Sequence, residues 1–305
     1  MTDSSQTRLA IIEEATYGVV EATPSFQNLR FTGEGLNGNV ENSTSNEIRP
    51  DRNASDTVQV GSNAGGKIDI ELSYGSYDLL LEGLMFNSWN SDVLKNGVER
   101  HSYGLEKTFK AQSSDQYHLF TGAMVNGFTL AVQSKNMVTG SFDLLAKGMT
   151  SSQDEIAGAT YADANTNDVM NAAVGFANLA ITGAASSDIT SLNLSMTNNL
   201  RKQEVVGSRD ARGIGAGRFD VTGDLIAYFE SSELYDMFLA GTATDLSFDI
   251  GGVASKKYNF NMPKIKFESA EVVAGGNDQD VMAKMTFRAL YDATEDSTLT
   301  ITRTP

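Results

Sequence analysis

The chain has 305 residues, a net charge of −16, no cysteine, and many glycines (28) but few prolines (4). The lack of cysteine excludes disulfides, thiolate metal sites and cysteine nucleophiles. The acidic balance argues against a surface that grips nucleic acid, because phosphate binding needs Lys and Arg to replace counterions. Runs of Val, Ile, Thr, Phe and Tyr between glycines indicate β-structure with many turns, in one large domain or two smaller ones.

The N-terminal stretch, MTDSSQTRLAIIEEATYG (residues 1–18), has no basic segment followed by an apolar one. We therefore expect that the chain has no secretory signal and that it is synthesised in the cytosol. The apolar runs are far shorter than the roughly 20 residues needed to span a bilayer, so we also expect no membrane association. Residues 1–18 are either an assembly arm or disordered.

Two similar segments predict strands that are packed on one side and wet on the other. They are GGKIDIELS (65–73) and AGRFDVTGDL (216–225), and both alternate polar with apolar residues. Aligned on their glycines, both read a cation, an apolar residue and an aspartate. The charged positions of this face are Lys67, Asp69, Glu71, Arg218, Asp220 and Asp224.

The order of elements after these strands also repeats. A helical pattern follows each strand, SYDLLLEGLM (76–85) and SSELYDMFLAG (231–241). Ser231 or Ser232 would cap the second helix and Gly241 would end it. Two strand signals close each copy, at 117–133 and 137–148 and at 258–273 and 281–292.

We therefore predict a mainly β fold with short flanking helices, duplicated within the chain. The first domain is 1–150 and the second is 151–305, with a linker at about 151–173. Measured on the aligned segments, the second copy has seven more residues between its strand and its helix.

A long polar stretch precedes each of the two strands, at 41–66 and at 198–217. Both are long for a simple hairpin connection, and loops of this length are usually functional or disordered. We expect them to order on docking against a neighbouring copy. The side chains that would make salt-sensitive contacts there are Arg49, Asp51, Arg52, Arg201, Lys202, Arg209 and Arg212.

Patterns that could carry catalysis or bind a metal are weak. The two histidines, His101 and His118, have no GxSxG segment beside them. GIGAG (213–217) precedes a strand instead of following one, so a loop hinge is favoured over a dinucleotide site. GGNDQD (275–280) lacks the twelve-residue calcium loop, so a hairpin turn is favoured. We predict no catalytic residue, no metal and no cofactor.

Several segments together resemble the tail tube proteins of bacteriophages with long, non-contractile tails. They are RLAIIEEATYGVVEATPSFQNLRFTGEG, GGKIDIELSYGSYDLLLEGLM, YHLFTGAMVNGFTLAV with MVTGSF, and YNFNMPKIKFESAEVVAGGNDQDVMAKMTFRALYD. The likeness extends from Arg8 to Arg303. It implies a β-sandwich or half-barrel with a flanking helix, whose strands join those of neighbours around a ring. Such rings stack into a hollow tube through which the genome travels.

The resemblance also implies partners and a location. Rings of this family have six-fold or pseudo-six-fold symmetry, so a duplicated subunit implies a trimeric ring and a single-fold subunit a hexameric one. The expected partners are other copies of the chain, a tape measure protein, a tail terminator and distal tail proteins. Double-stranded DNA would pass without specific binding. The expected location is the virion tail, assembled in the host cytoplasm.

In such a tube, the charged positions of the two similar strands are candidates for the lumen. An acidic lumen repels phosphate, so that DNA slides through it. The alternative for all six positions is a solvated outer face of the sheet.

Two other functions stay open at the level of sequence. One is a tail terminator or baseplate-hub protein, which forms a single ring with the same fold. The other is a carbohydrate-binding β-sandwich such as an adhesin. Only one tryptophan, Trp89, is present for stacking on sugars, which counts against the adhesin.

Overall fold

A computed structural model describes residues 3–110, 114–184, 188–252 and 254–305. Strands dominate it, with two short α-helices. The elements up to residue 162 are β1 (Thr7–Glu13), β2 (Ser25–Asn28), β3 (Gly33–Glu34), β4 (Asn37–Thr44), β5 (Thr57–Glu71), α1 (Asp78–Met85), β6 (Val93–Lys95), β7 (Tyr103–Phe109), β8 (Gln116–Gln133), β9 (Thr139–Ala146), β10 (Gly148–Ser152) and β11 (Thr160–Ala162). Those that follow are β12 (Phe176–Ala180), β13 (Ile189–Thr197), β14 (Arg201–Gln203), β15 (Gly213–Gly215), β16 (Asp220–Tyr228), α2 (Glu233–Ala240), β17 (Thr244–Gly251), β18 (Lys257–Ala274), β19 (Val281–Ala289) and β20 (Thr300–Thr304).

One antiparallel sheet, here called the central sheet, runs through both halves of the chain. Its strand order is β4–β5–β9–β8–β13–β16–β19–β18. The junction between the halves is the pairing of β8 with β13, from Gly127 opposite Thr197 to Gln133 opposite Ser191. The two halves therefore share one sheet.

The long strands β8 and β18 each take part in two layers, the central sheet and a second layer that pairs with their beginnings. The beginning of β8 pairs with β7 and β10, whereas its end pairs with β9 and β13. The beginning of β18 likewise pairs with β17 and β20, and its end with β19. The register shifts by one residue at Asn126 in β8 and at Glu268 in β18. Such bulges bend a strand, so they let each strand leave one layer for the other.

One hydrophobic core lies between the layers and extends across both halves. Phe142 of β9 stacks on Phe128 of β8 with ring centroids 4.2 Å apart. Leu84 of α1 and Phe287 of β19 are fully buried in the same core. Burying one such side chain stabilises the fold by about 1.5–3 kcal/mol. The prediction of a mainly β sandwich fold with short helices is confirmed.

Both predicted helices are present, and their ends follow local chemistry. Gly241 follows α2 with φ of 61°, a left-handed conformation that glycine adopts readily, so the predicted end is confirmed. Ser232 precedes α2, but its side chain does not cap the helix: the hydroxyl donates to the Asp236 carboxylate at 2.8 Å and accepts no hydrogen bond from a backbone N–H. The connection from strand to helix spans 72–77 in the first half and 229–232 in the second. The predicted seven-residue excess in the second half is wrong.

The strand pairing order is the same in both halves. It reads β7–β8–β9–β5–β4 in the first and β17–β18–β19–β16–β13 in the second. The residue after the bulge of each long strand lies opposite Asp143 in the first half and Thr286 in the second. Asp143 in turn lies opposite Lys67, and Thr286 lies opposite Asp224. Lys67 therefore corresponds to Asp224. The alignment of Lys67 with Arg218 is wrong, because strict alternation fits equally well at several registers.

The predicted linker, 151–173, lies along the first half. Strand β11 within it pairs in parallel with β2. The Tyr161 hydroxyl donates to the buried Glu106 carboxylate at 2.8 Å, and the Met170 N–H donates to the Leu72 carbonyl at 2.8 Å. The domain boundaries at 150 and 151 stay a prediction.

A buried carboxylate connects three strands of the second half. Asp249 of β17 accepts hydrogen bonds from Asn178 of β12 and from Lys257 and Asn259 of β18, at 2.7–2.8 Å. Burial alone would raise the pKa of Asp249, but these donors outweigh burial and hold that pKa below its ordinary value. The ionised carboxylate therefore stabilises this part of the fold.

Candidate functional site

One face of the central sheet is polar across both halves, and we call it the polar face. The ladder registers place its side chains in rows. One row reads Lys67, Asp143, Gly127, Thr197 and Asp220. The next reads Asp69, Ser141, Thr129, Ser195, Thr222 and Arg288, and the third reads Glu71, Thr139, Ala131, Asn193, Asp224 and Thr286.

The opposite face is apolar because the side chains of a strand alternate between its two faces. Ile68, Phe142, Phe128, Met196 and Val221 are buried beneath the polar rows. A continuous sheet with one dry and one wet face follows from this pattern.

The structure brings the six charged candidates together on the polar face. Five of them lie in the rows, and Arg218 lies two residues before the start of β16. The Arg218 side chain is 79% exposed, and its Nε donates to Asp220 Oδ1 at 2.8 Å. Two segments far apart in the chain therefore contribute to one surface. Whether that surface lines a lumen stays a prediction.

Most carboxylates of the polar face are held by neutral donors. Asp69 accepts a hydrogen bond from Ser141 at 2.6 Å, and Asp224 accepts one from Asn193 at 2.8 Å. Asp143 accepts one from Asn126 at 2.7 Å. Donors of this kind fix each carboxylate without neutralising its charge.

The polar face carries both signs of charge, unevenly distributed. Acidic groups dominate around β5 and β9, whereas Lys266, Lys284 and Arg288 collect on β18 and β19. Arg288 contacts Asp220 at 3.2 Å and Glu268 at 2.6 Å. The expected acidic surface is therefore strongest around β5 and β9, because Asp220 and Glu268 on the other part of the face pair with Arg288.

The first long polar stretch is an exposed hairpin with a loop at its tip. Its strands β4 and β5 stay paired as far as Thr44 opposite Thr57, so only 45–56 connects them. We call residues 40–61 the arm. Its side chains are exposed, including Val40, Val58 and Val60. The prediction of a loop over 41–66 is wrong in part, because strand pairing satisfies the backbone of 41–44 and 57–66, whereas 45–56 forms the connection.

Three loop candidates lie at the tip of the arm. Arg49 donates to Asp51 in a two-point ion pair, at 3.0 and 2.9 Å. This hydrogen bond lowers the pKa of Asp51 to about 2. Arg52 has φ of 61°, which marks the turn. Their contact with another subunit stays a prediction.

The second long polar stretch, 198–217, contains the small hairpin β14–β15. The prediction of a loop, including the hinge at 213–217, is therefore wrong in part. This segment lies against the base of the arm. Lys202 donates to Asn63 at 2.9 Å, and Arg209 donates to Gln59 at 2.7 Å. Burial lowers the pKa of Lys202.

The remaining two loop candidates make local contacts. The Arg201 guanidinium donates to the Ala216 carbonyl at 3.3 Å, and the Arg212 N–H donates to the Gln203 carbonyl at 2.9 Å. Both side chains are exposed. Their role between subunits stays a prediction.

Segment 198–217 also packs against the first half. Ile214 is buried with Phe86 and Met124. The Asn198 side chain donates to the carbonyls of Leu84 and Val125, at 2.9 Å each. These contacts fasten the second half to helix α1.

A comparison with protein families matches residues 4–289 to the model described as phage tail tube protein. The chain belongs to the phage tail tube protein family. A search of curated proteins found no match.

Membership of this family confirms the resemblance drawn from the sequence. The phage tail tube family is a structural family and not an enzymatic one. Tail tube proteins associate with themselves into a tube, as components of the virion. Among the described residues, no helix is long and apolar enough to cross a membrane.

The weak catalytic patterns of this tail tube protein lie in structural positions. His101 Nδ1 lies 2.7 Å from Glu13 Oε1, and His118 packs edge-on against Phe109. Residues 275–280 form the turn between β18 and β19. In the described ranges, no three acidic or histidine side chains cluster as metal ligands would.

Sequence reasoning predicted β8 but missed its pairing with β13, which connects the halves. In β8, Thr129, Ala131 and Gln133 alternate with buried apolar residues, and β13 alternates in the same way. The alternation could have shown two half-wet strands, but it carries no information on which strand is the neighbour.

Proposed function

We propose that this protein forms stacked rings that make the hollow tail tube, with the polar face lining the channel. The observation that carries the proposal is the continuity of that face across both halves of one sheet. A channel wall needs one wet surface that no loop interrupts, backed by a packed core. The two halves, with one pairing order, would supply two of six positions in a ring of three subunits. A ring of six is the alternative.

The polar face suits passage of DNA without specific binding. Its acidic rows repel phosphate, and its arginine and lysine side chains are partly neutralised by neighbouring carboxylates. A strongly basic wall would instead hold DNA through counterion release. We propose that the DNA slides past hydroxyl, amide and carboxylate groups.

The arm is the element that we assign to contacts with the next ring or the neighbouring subunit. It extends from the body, and Val40, Val58 and Val60 stay exposed on it. Exposed apolar side chains on a protruding hairpin are typical of an interaction surface. A tape measure protein, a tail terminator and distal tail proteins would complete a siphophage tail, assembled in the host cytoplasm.

Negative-stain electron microscopy of the purified protein, at several concentrations and salt levels, tests the proposal. We expect hollow tubes or stacked rings of constant width, with three subunits in class averages. Particles that never stack beyond one ring would instead favour a terminator or hub protein.

A shortened arm provides the matched variant. Replacing residues 45–56 by a two-residue turn keeps β4 and β5 paired, so the circular dichroism spectrum should not change while tubes fail to form. Normal tubes from this variant would remove the arm from the proposal. A deletion in 198–217 is a poorer test, because it also removes Ile214 and Asn198 from the interior.

A further inference from the structure

The strands of the two halves can be matched residue by residue through their pairing registers. Gly127 and Ser269 directly follow the one-residue bulges of β8 and β18, and they lie opposite Asp143 and Thr286. Gly127 therefore corresponds to Ser269, and two residues further along the strand Thr129 corresponds to Glu271.

The same procedure relates the first strand of each half. Gly35 lies beside Lys67, where its N–H donates to the Lys67 carbonyl at 2.8 Å. Asn193 lies opposite Asp224, the counterpart of Lys67. Gly35 thus corresponds to Asn193, and two residues further along Asn37 corresponds to Ser195.

Within the chain, the end of β8 and strand β13 pair with each other. Their counterparts are the second edge (residues 266–274, the end of β18) and the first edge (residues 33–39, from β3 into β4). Among the described residues, no strand pairs with the outer side of either edge. The edges lie at opposite ends of the central sheet, so one molecule cannot pair them with each other.

We propose that a second copy of the chain pairs these edges in the register of the internal junction. Asn37 of one subunit then lies opposite Glu271 of the next, and Asn39 lies opposite Ser269. This inference rests on the proposed function, and it adds the partner residues. The register keeps Asn37 and Glu271 on the polar face, so that face continues from subunit to subunit.

The internal junction also predicts the geometry of the new pair. The Asn198 N–H donates to the Asn126 carbonyl, and the Ser134 N–H donates to the Thr190 carbonyl, at the two ends of the β8–β13 ladder. Because hydrogen-bonded pairs alternate with non-hydrogen-bonded pairs, Ser195 and Thr129 form a non-hydrogen-bonded pair, in which side chains are closest. Asn37 and Glu271 inherit that geometry.

An ion pair protects the first edge in the isolated subunit. The Leu36 N–H, which points away from β5, donates to Glu34 Oε2 at 3.0 Å. Lys107 Nζ lies 2.5 Å from Glu34 Oε1 and 3.5 Å from the Leu36 carbonyl oxygen. Inward-pointing charges of this kind keep edge strands from premature pairing. We call Glu34 and Lys107 the edge cap. In the proposed register, the backbone of Val272 in the next subunit takes their place beside the Leu36 N–H and carbonyl.

Cysteine cross-linking tests the register, since the natural chain has no cysteine. The variant carries Asn37→Cys and Glu271→Cys, and it is oxidised after assembly. On non-reducing gels we expect its band to shift to covalent multiples of the chain. The control carries Asn37→Cys and Val272→Cys, and it should not shift, because adjacent residues of a strand point to opposite faces. A second control, Thr129→Cys with Ser195→Cys, should close within one chain.

The outcomes separate this inference from the proposed function. Rings without the expected cross-link, or with the control pair linked instead, would overturn the register alone. The cross-link without stacked rings would support the register and contradict the tube. For a variant that does not assemble, the register is read from a cryo-electron microscopy map of wild-type tubes. A neighbour of Asn37 other than Glu271 in that map overturns the inference.

Discussion

Replacing Asn198 with alanine should destabilise the subunit, because this side chain fastens the second half to the first. It is only 3% exposed, and its amide donates to two backbone carbonyls, those of Leu84 and Val125. Each hydrogen bond contributes about 1 kcal/mol, and each buried acceptor left without a donor costs about 1–3 kcal/mol. Asn198→Ala should therefore lower the free energy of unfolding by about 2–4 kcal/mol.

Urea unfolding, followed by circular dichroism below the concentration at which tubes form, measures this loss. The midpoint should fall while the slope with urea stays constant, because the surface exposed on unfolding is unchanged. The matched control is Asn42→Ala on the exposed arm, which should change the free energy by less than about 0.5 kcal/mol. An equally small effect of Asn198→Ala would refute the assigned role of this contact.

Three further predictions follow from contacts described above. Gly66 has φ of 144°, and a Cβ there would collide with a neighbouring backbone carbonyl, so Gly66→Ala should cost about 2 kcal/mol or more in urea unfolding. Gly276→Ala, where the space is open, serves as its control and should be nearly neutral. The lowered pKa of Asp249 contributes stability that is present above the unfolded pKa of about 3.9 and is lost as pH falls through the folded value. The stability gap between wild type and Asp249→Asn should therefore narrow between neutral pH and pH 2; a constant gap would contradict this. Glu34→Leu combined with Lys107→Met removes both charges of the edge cap, so light scattering should detect tubes after a shorter lag than in wild type, and a longer lag would count against the cap.

The sequence allowed the fold class to be predicted, because the relevant signals are local. Alternation of Ile68 and Ile70 with charged residues predicts a half-buried strand whatever its neighbours are. Gly241 after an apolar helical run marks a helix end for the same reason. Such patterns also predicted that the charged positions of each strand share its wet face, but not that the two strands belong to one sheet.

The errors arose where the answer depends on distant parts of the chain. The sequence aligns Lys67 with Arg218, because alternation with a period of two does not fix the register. Only the bulges in β8 and β18 identify Asp224 as the counterpart of Lys67. The sequence predicts a loop for the arm because its residues are polar on both sides. Its strand pairing comes from the backbone and needs no apolar face. The pairing of β8 with β13 has no local signal.

A cryo-electron microscopy map of tubes assembled from the wild-type protein tests the central claim most directly. We expect the map to show the rows that contain Lys67, Asp69 and Asp224 on the inner wall of a hollow tube, with both helices outside the central sheet. A tube whose inner wall is formed by another surface, with these rows facing outward, would contradict it.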